Sequence, residues 1–132
     1  MPSDKIYKYT VPIGVDFGPG AIAGLAKILS RLGASHPLFV CDKGIRECGL
    51  LDIATQALDS DIEEYSIFDG VASNPREENV LEALGVYQGE ACNGIVAIGG
   101  GSVIDAAKGV GLLVSNQGDL DTFGILDGGA AK

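Results

Sequence analysis

The chain has 132 residues, 46% of them hydrophobic and 20% charged, a size and balance that suit one globular domain and argue against disorder or a fibrous architecture. Its net charge of −9, with lysines and arginines scattered singly, provides no basic stripe for a phosphate backbone and argues against a nucleic-acid partner. Residues 1–10 lack the apolar core of a signal peptide and no later apolar run reaches membrane-spanning length, so a cytoplasmic protein with no membrane partner is expected.

Apolar runs alternate with amphipathic stretches, the pattern of α/β units built on a mostly parallel sheet with helices on both faces. Residues 13–17 form a predicted strand that runs into Gly18, after which Ile22, Leu25, Ala26, Leu29 and Leu32 recur at helical spacing until Gly33. The second unit pairs a strand at 37–41, followed by Asp42, with a helix near 51–58, and Gly44 and Gly49 break the turn between them. A third strand at 62–68 is less apolar and alternating, which places it nearer a sheet edge. Asn74, Pro75 and Glu77 then stand as N-cap, N1 and N3 of a helix whose Val80, Leu84 and Tyr87 face the sheet, ending near Gly89. The fourth strand, 94–98, leads into Gly99, Gly100, Gly101 and Ser102, and the helix after it carries Ile104, Ala107, Gly111 and Val114 on one face. A single dinucleotide-binding domain over 1–132 is expected, with 117–132 a polar, glycine-rich tail. Cys41, Cys48 and Cys92 are odd in number and lack Cys-x-x-Cys spacing, so ordinary thiols are expected, mostly buried. The single histidine, His36, has no partner at metal-ligand spacing and is expected on the solvated surface.

Three glycines between a buried strand and a helix let the backbone approach a ligand closely, while the unpaired N–H groups of the first helical turn face it. Phosphate is the natural occupant. Because an acidic chain repels a dinucleotide at long range, such local donors and the helix dipole must carry the binding. Ser102 is placed as the N-cap, able to cap the helix or to hydrogen-bond a phosphate oxygen, with Asp105 at N3. The same two residues also make a plain capping box around a structural turn. Ala106, Ala107, Gly109 and Gly111 keep this helix small in side chain, which suits close packing beneath a cofactor. A rival junction, Gly18-Pro19-Gly20-Ala21-Ile22-Ala23, fits G-x-G-x-x-A with Asp42 at a suitable distance for ribose recognition. Pro19 weighs against it, fixing φ and removing a donor where the backbone must wrap a pyrophosphate.

Taken in order, Phe17, Gly18 and Gly20, then Asp42-Lys43-Gly44, then Asn74-Pro75, then Gly99-Gly100-Gly101-Ser102-Val103-Ile104-Asp105-Ala106-Ala107-Lys108 resemble the N-terminal nucleotide-binding domain of the iron-containing (group III) alcohol dehydrogenases. The last segment is similar to that family's GGGSxxDxAK signature, and the resemblance spans nearly the whole chain. It implies a Rossmann-like fold in which Gly99, Gly100, Gly101 and Ser102, with Asp105 of the same signature, hold the cofactor pyrophosphate. Gly18 and Gly20 then become a structural turn. It further implies that Asp42 lies beside the adenosine ribose, where a carboxylate accepts from the 2′-hydroxyl and repels a 2′-phosphate, favouring NAD over NADP. Asn74 matches a position near the cofactor, a role that stands beside its service as an N-cap. Dehydroquinate synthases and glycerol dehydrogenases share the fold and a similar glycine turn, but Ser102 with Ala107-Lys108 fits the iron-type enzymes better.

The family's metal is held by one Asp and three His on a following helical domain, so the resemblance implies a chain truncated before that domain, with no catalytic residue and no metal ligand of its own. The activity expected of the whole protein is hydride transfer between a small alcohol and an aldehyde or ketone, with NAD as cofactor, iron or another divalent metal in the second domain, and a homodimeric assembly. The alternative is a non-catalytic, stand-alone nucleotide- or partner-binding domain, or a fragment of a glycerol dehydrogenase-like relative.

Overall fold

The structure, a computed structural model, describes residues 13–58, 62–74 and 76–115. A 3-10 turn at Ala21–Gly24 leads into α1 (Leu25–Arg31), and β1 (Pro37–Val40), α2 (Lys43–Glu47), α3 (Leu50–Gln56), β2 (Ser66–Phe68), α4 (Glu77–Gly89), β3 (Gly94–Ala97) and α5 (Gly101–Ser115) follow. The strands pair in parallel in the order β2-β1-β3. Because side chains alternate across a strand, β1 feeds two cores. Leu38 and Val40 pack with Val80, Ala83, Val103 and Val110 of α4 and α5, whereas Phe39 and Cys41 pack with Leu51 and Ala54 of α3. The expected α/β layering with helices on both faces is thus present, and β2 occupies an outer position as its weaker pattern suggested. Among the described residues no helix is long and apolar enough to cross a membrane.

Several expected elements differ. Residues 13–17 make no strand, and Ile13, Val15 and Phe17 are 70%, 80% and 99% exposed. Their period-two pattern supplies an apolar face, but a strand exists only with a ladder partner, and no described strand lies alongside. The third strand shrinks to three residues, because Ile62 leaves the ladder to fill a small core with Ala26, Leu29 and Ala34. Gly44 does not break the turn but lies inside α2, a helix started by the Asp42 carboxylate accepting from Ile45 N at 2.8 Å. Gly33 and Gly49 do punctuate as expected, with φ of 75° and 90°.

Helix α4 begins at Glu77 with Arg76 as its N-cap, so Asn74 does not cap it and Glu77 is its first residue. The preceding loop is held away from helical geometry by other bonds. Ala72 N donates to Asn79 Oδ1 at 3.3 Å, and Ser73 O accepts from the Ser102 hydroxyl at 2.9 Å. Pro75 and the tail 117–132 lie outside the described residues. Val80 is buried as expected and Leu84 and Tyr87 pack against the same core. In α5 the buried face is Val103, Ala106, Ala107, Gly109 and Val110. Of the four residues expected there, only Ala107 is buried, and Ile104 and Val114 are each 40% exposed. Packing with Val80 and Ala83 of α4 chooses this face.

At the N-terminal ends of β1 and β3 the chain is clamped by Asn93. His36 N donates to Asn93 Oδ1 at 2.8 Å, Asn93 N donates to His36 O at 2.9 Å, and Asn93 Nδ2 donates to Ser35 Oγ at 3.0 Å. The His36 ring is not merely solvated as expected. Its Nε2 lies 2.9 Å from Ser66 Oγ and its Nδ1 3.5 Å from Glu64 Oε2, tying the loop before β1 to β2. Next to the clamp, Gly94 meets Ala34 so closely that an added methyl would sit 2.6 Å from the Ala34 Cβ. Gly94→Ala is therefore expected to destabilise the fold by about 1–3 kcal/mol through overpacking, read as a lower urea midpoint. An unchanged midpoint would contradict this packing.

Candidate functional site

In a parallel sheet with helices on both faces, the loops leaving the C-terminal ends of the strands form the crevice in which ligands bind. After β1 the chain turns at Asp42 into α2, and after β2 it runs through residues 69–73 before reaching α4. These two loops enclose a cleft of about 450 Å³, with Asp42, Lys43 and Gly44 on one wall and residues 69–73 on the other.

The third loop, after β3, is the glycine turn. Gly99 has φ of 147°, and a methyl on it would lie 2.9 Å from Val103 Cγ2 and 3.6 Å from Ile45 Cγ1. It is tightly seated against α5 and α2. Gly100 and Gly101 are the opposite case, exposed and with nothing within 4 Å of an added methyl. The first turn of α5 closes with Ile104 N donating to Gly100 O at 3.1 Å, which leaves the amides before it directed out of the helix end.

Ser102 is the second residue of α5 rather than its N-cap, and its hydroxyl donates to Ser73 O at 2.9 Å. Asp105 is consequently the fifth residue, exposed, and the Ser-x-x-Asp capping box does not form. The helix starts two residues early because glycine accepts helical geometry at Gly101 while Ser102 finds its partner across the loop. Two links therefore bring the glycine turn and Asp42 to one end of the sheet. Ser102 bonds to Ser73 of the cleft wall, and Gly99 abuts Ile45, whose amide Asp42 caps. Asn74 and Asp105 are exposed and line no part of the cleft.

The charges of this region converge on Cys41, at the end of β1. Burial first, then the Asp69 and Asp42 carboxylates, push its thiol up to about 11, while Arg46 acts the other way. Cys41 therefore stays a neutral thiol at neutral pH, a core residue and not a nucleophile. Cys92 is buried and its thiol is also raised, chiefly by burial, while Cys48 is exposed. Arg46 Nη1 and Asp69 Oδ2 pair at 2.9 Å. Among the described residues, no three His, Cys, Asp or Glu side chains are grouped to hold a metal ion.

At the first glycine junction the amides are already used. Ala21 N donates to Gly18 O at 3.2 Å and Ala23 N to Gly20 O at 3.0 Å, and the neighbouring recess of about 290 Å³ is lined largely by Ala21, Ile22, Leu25 and Ile28. Sequence reading missed Asp69, Ser73 and Lys43 as cleft residues. A signal for the first was present, since both β1 and β2 are followed by an Asp and then a Gly within two residues, at Asp42-Lys43-Gly44 and Asp69-Gly70.

Comparison with known proteins follows the same outline. The sequence signature of the family described as iron-containing alcohol dehydrogenase matches residues 12–131. A 4-hydroxybutyrate dehydrogenase of Cupriavidus necator is 38% identical over 124 residues, covering 94% of this chain and 31% of that enzyme. Among solved structures, a 1,3-propanediol oxidoreductase superposes with a TM-score of 0.85 at 39% identity, over 90% of this chain and 31% of that one. An NADH-dependent butanol dehydrogenase from Thermotoga maritima gives a TM-score of 0.81 at 30% identity, over 90% and 30%. The chain spans about a third of the length of the relatives it matches.

Proposed function

The chain belongs to the iron-containing alcohol dehydrogenase family, and from that premise we propose that it is the cofactor-binding part of an NAD-dependent enzyme interconverting an alcohol and an aldehyde or ketone. The observation that carries the proposal is the meeting of the glycine turn and the Asp42 cleft at the C-terminal ends of the strands, joined through Ser102 and Ser73. The fit to a dinucleotide is supported by Gly100 and Gly101, where the space that a side chain would fill is open. With the chain's net charge of −9, the pyrophosphate donors are the backbone amides and the helix dipole rather than a basic patch.

On this reading the first-turn amides of α5 and the turn before them bind the pyrophosphate. The Ser102 hydroxyl, whose proton is committed to Ser73 O, acts by fixing the turn against the cleft wall and so positioning the amides. Asp42 takes the ribose hydroxyls through the carboxylate oxygen not used in capping α2. Asn74 and Asp105 are assigned supporting places at the rim, reached only if a bound cofactor extends over the exposed surface. Nicotinamide, when bound, supplies the hydride acceptor or donor. The iron of the family is assigned to residues other than the described ones, which form no metal cluster, and no step is assigned to it.

NADH titration of the chain, followed by nicotinamide fluorescence, tests the reading, and saturable binding is expected. The chain has no tryptophan to interfere. Asp42→Asn keeps the cap but removes the charge, and it is expected to lower the preference for NADH over NADPH by about tenfold. A chain that binds neither dinucleotide, or an Asp42→Asn variant with unaltered preference, would contradict the assignments.

A further inference from the structure

A cation that the sequence reading did not use, Arg46, is paired with the cleft wall at Asp69. Arg46 follows Asp42 by one helical turn, with Arg46 N donating to Asp42 O at 3.3 Å, so the two side chains leave the same face of α2. Asp42 lines the cleft, and so does Asp69 on the facing wall. The Arg46 guanidinium, about half exposed, spans to Asp69, with Nη1 2.9 Å from Oδ2. The remaining charged group of the lining is Lys43. That Asp42, Asp69 and Arg46 all act on the Cys41 thiol places the three charges around one point at the end of β1.

This arrangement bears on which dinucleotide the cleft accepts, and it rests on the reading of the cleft as the ribose end of a dinucleotide site. A 2′-phosphate is accommodated where a guanidinium is free to meet it with two N–H donors. Here a guanidinium stands one turn from the ribose carboxylate, but it is already engaged. We infer that Asp69 is a specificity-determining residue: by holding Arg46 it withholds the cation that a 2′-phosphate would take, and so keeps the site selective for the unphosphorylated ribose. Asp42 repels the phosphate directly, whereas Asp69 acts through Arg46. The pair is partly solvated, so its loss leaves the fold standing.

The test is titration of the full chain with NADH and with NADPH. Asp69→Asn frees Arg46 without changing the shape of the wall, and NADPH affinity is expected to rise about tenfold, with NADH affinity little changed. The double variant Asp69→Asn with Arg46→Met should return NADPH affinity to the parental value. Asp69→Glu, which restores the carboxylate, should stay selective for NADH and shows that an altered wall alone does not change selectivity. The inference is overturned if NADPH affinity in Asp69→Asn stays within twofold of the parent, or if the gain survives Arg46→Met, since bulk charge would then account for it. If the parent chain binds neither dinucleotide, the reading of the cleft falls and takes this inference with it. If NADH binds the parent and is lost in Gly100→Val while NADPH affinity ignores Asp69, the inference alone fails.

Discussion

Gly100→Val is expected to abolish NADH binding, by about a hundredfold or more, in a chain that unfolds at nearly the same urea concentration as the parent. The argument is one of space. A methyl on Gly100 meets no protein atom within 4 Å, so a side chain there starts in open space beside the α5 amides. Its backbone is not in the left-handed region, and the cost of a β-branched residue just before a helix is about 1 kcal/mol. Binding unaffected by this change would show that the pyrophosphate lies elsewhere. Loss of binding together with collapse of the fold would show that the position is structural.

Its neighbour is expected to behave in the opposite way. Gly99 has φ of 147°, and a methyl there would sit 2.9 Å from Val103 Cγ2, a branched side chain that is itself 1% exposed and has nowhere to move. Gly99→Ala combines backbone strain with overpacking, each about 1–3 kcal/mol, and is expected to cost about 2–6 kcal/mol in total. Urea unfolding followed by circular dichroism measures it. A midpoint equal to that of the parent would mean that the turn relaxes freely and that Gly99 is not a fixed point of the site. Adjacent glycines thus separate by experiment, one held for the fold and one left open for a ligand.

The layered architecture and the position of the glycine turn were legible because they rest on local composition: a buried strand, three glycines, then a helix of small residues. What was not legible depends on contacts distant in sequence. The period-two pattern of Ile13, Val15 and Phe17 reads as a strand, yet whether it becomes one is decided by a neighbouring edge that the pattern cannot specify. The face of α5 was misjudged because apolar and small residues stand on several sides of this helix, and the side that is buried, Val103, Ala106, Ala107 and Val110, is chosen by packing with Val80 and Ala83 of α4, which lie far away in sequence. Asp42 was singled out by its spacing from the first glycine turn and by its place after a strand, and it does line the cleft, while the Arg46–Asp69 pair joins a residue of α2 to one 23 positions later in the loop after β2 and has no sequence signature. His36 was misread for a similar reason, since neither Ser66 nor Glu64 is near it in the chain.

The Asn93 clamp and the cleft stand at opposite ends of the same short strands. Four residues of β1 connect them, so the bonds that secure the chain's crossing share no atoms with the loops that line the cleft. Such a separation makes the polypeptide a chassis: the loops after β1 and β2 can be lengthened, recharged or grafted from a relative, while the far end keeps the strands in register. Selection, natural or in the laboratory, can therefore act on the two ends independently.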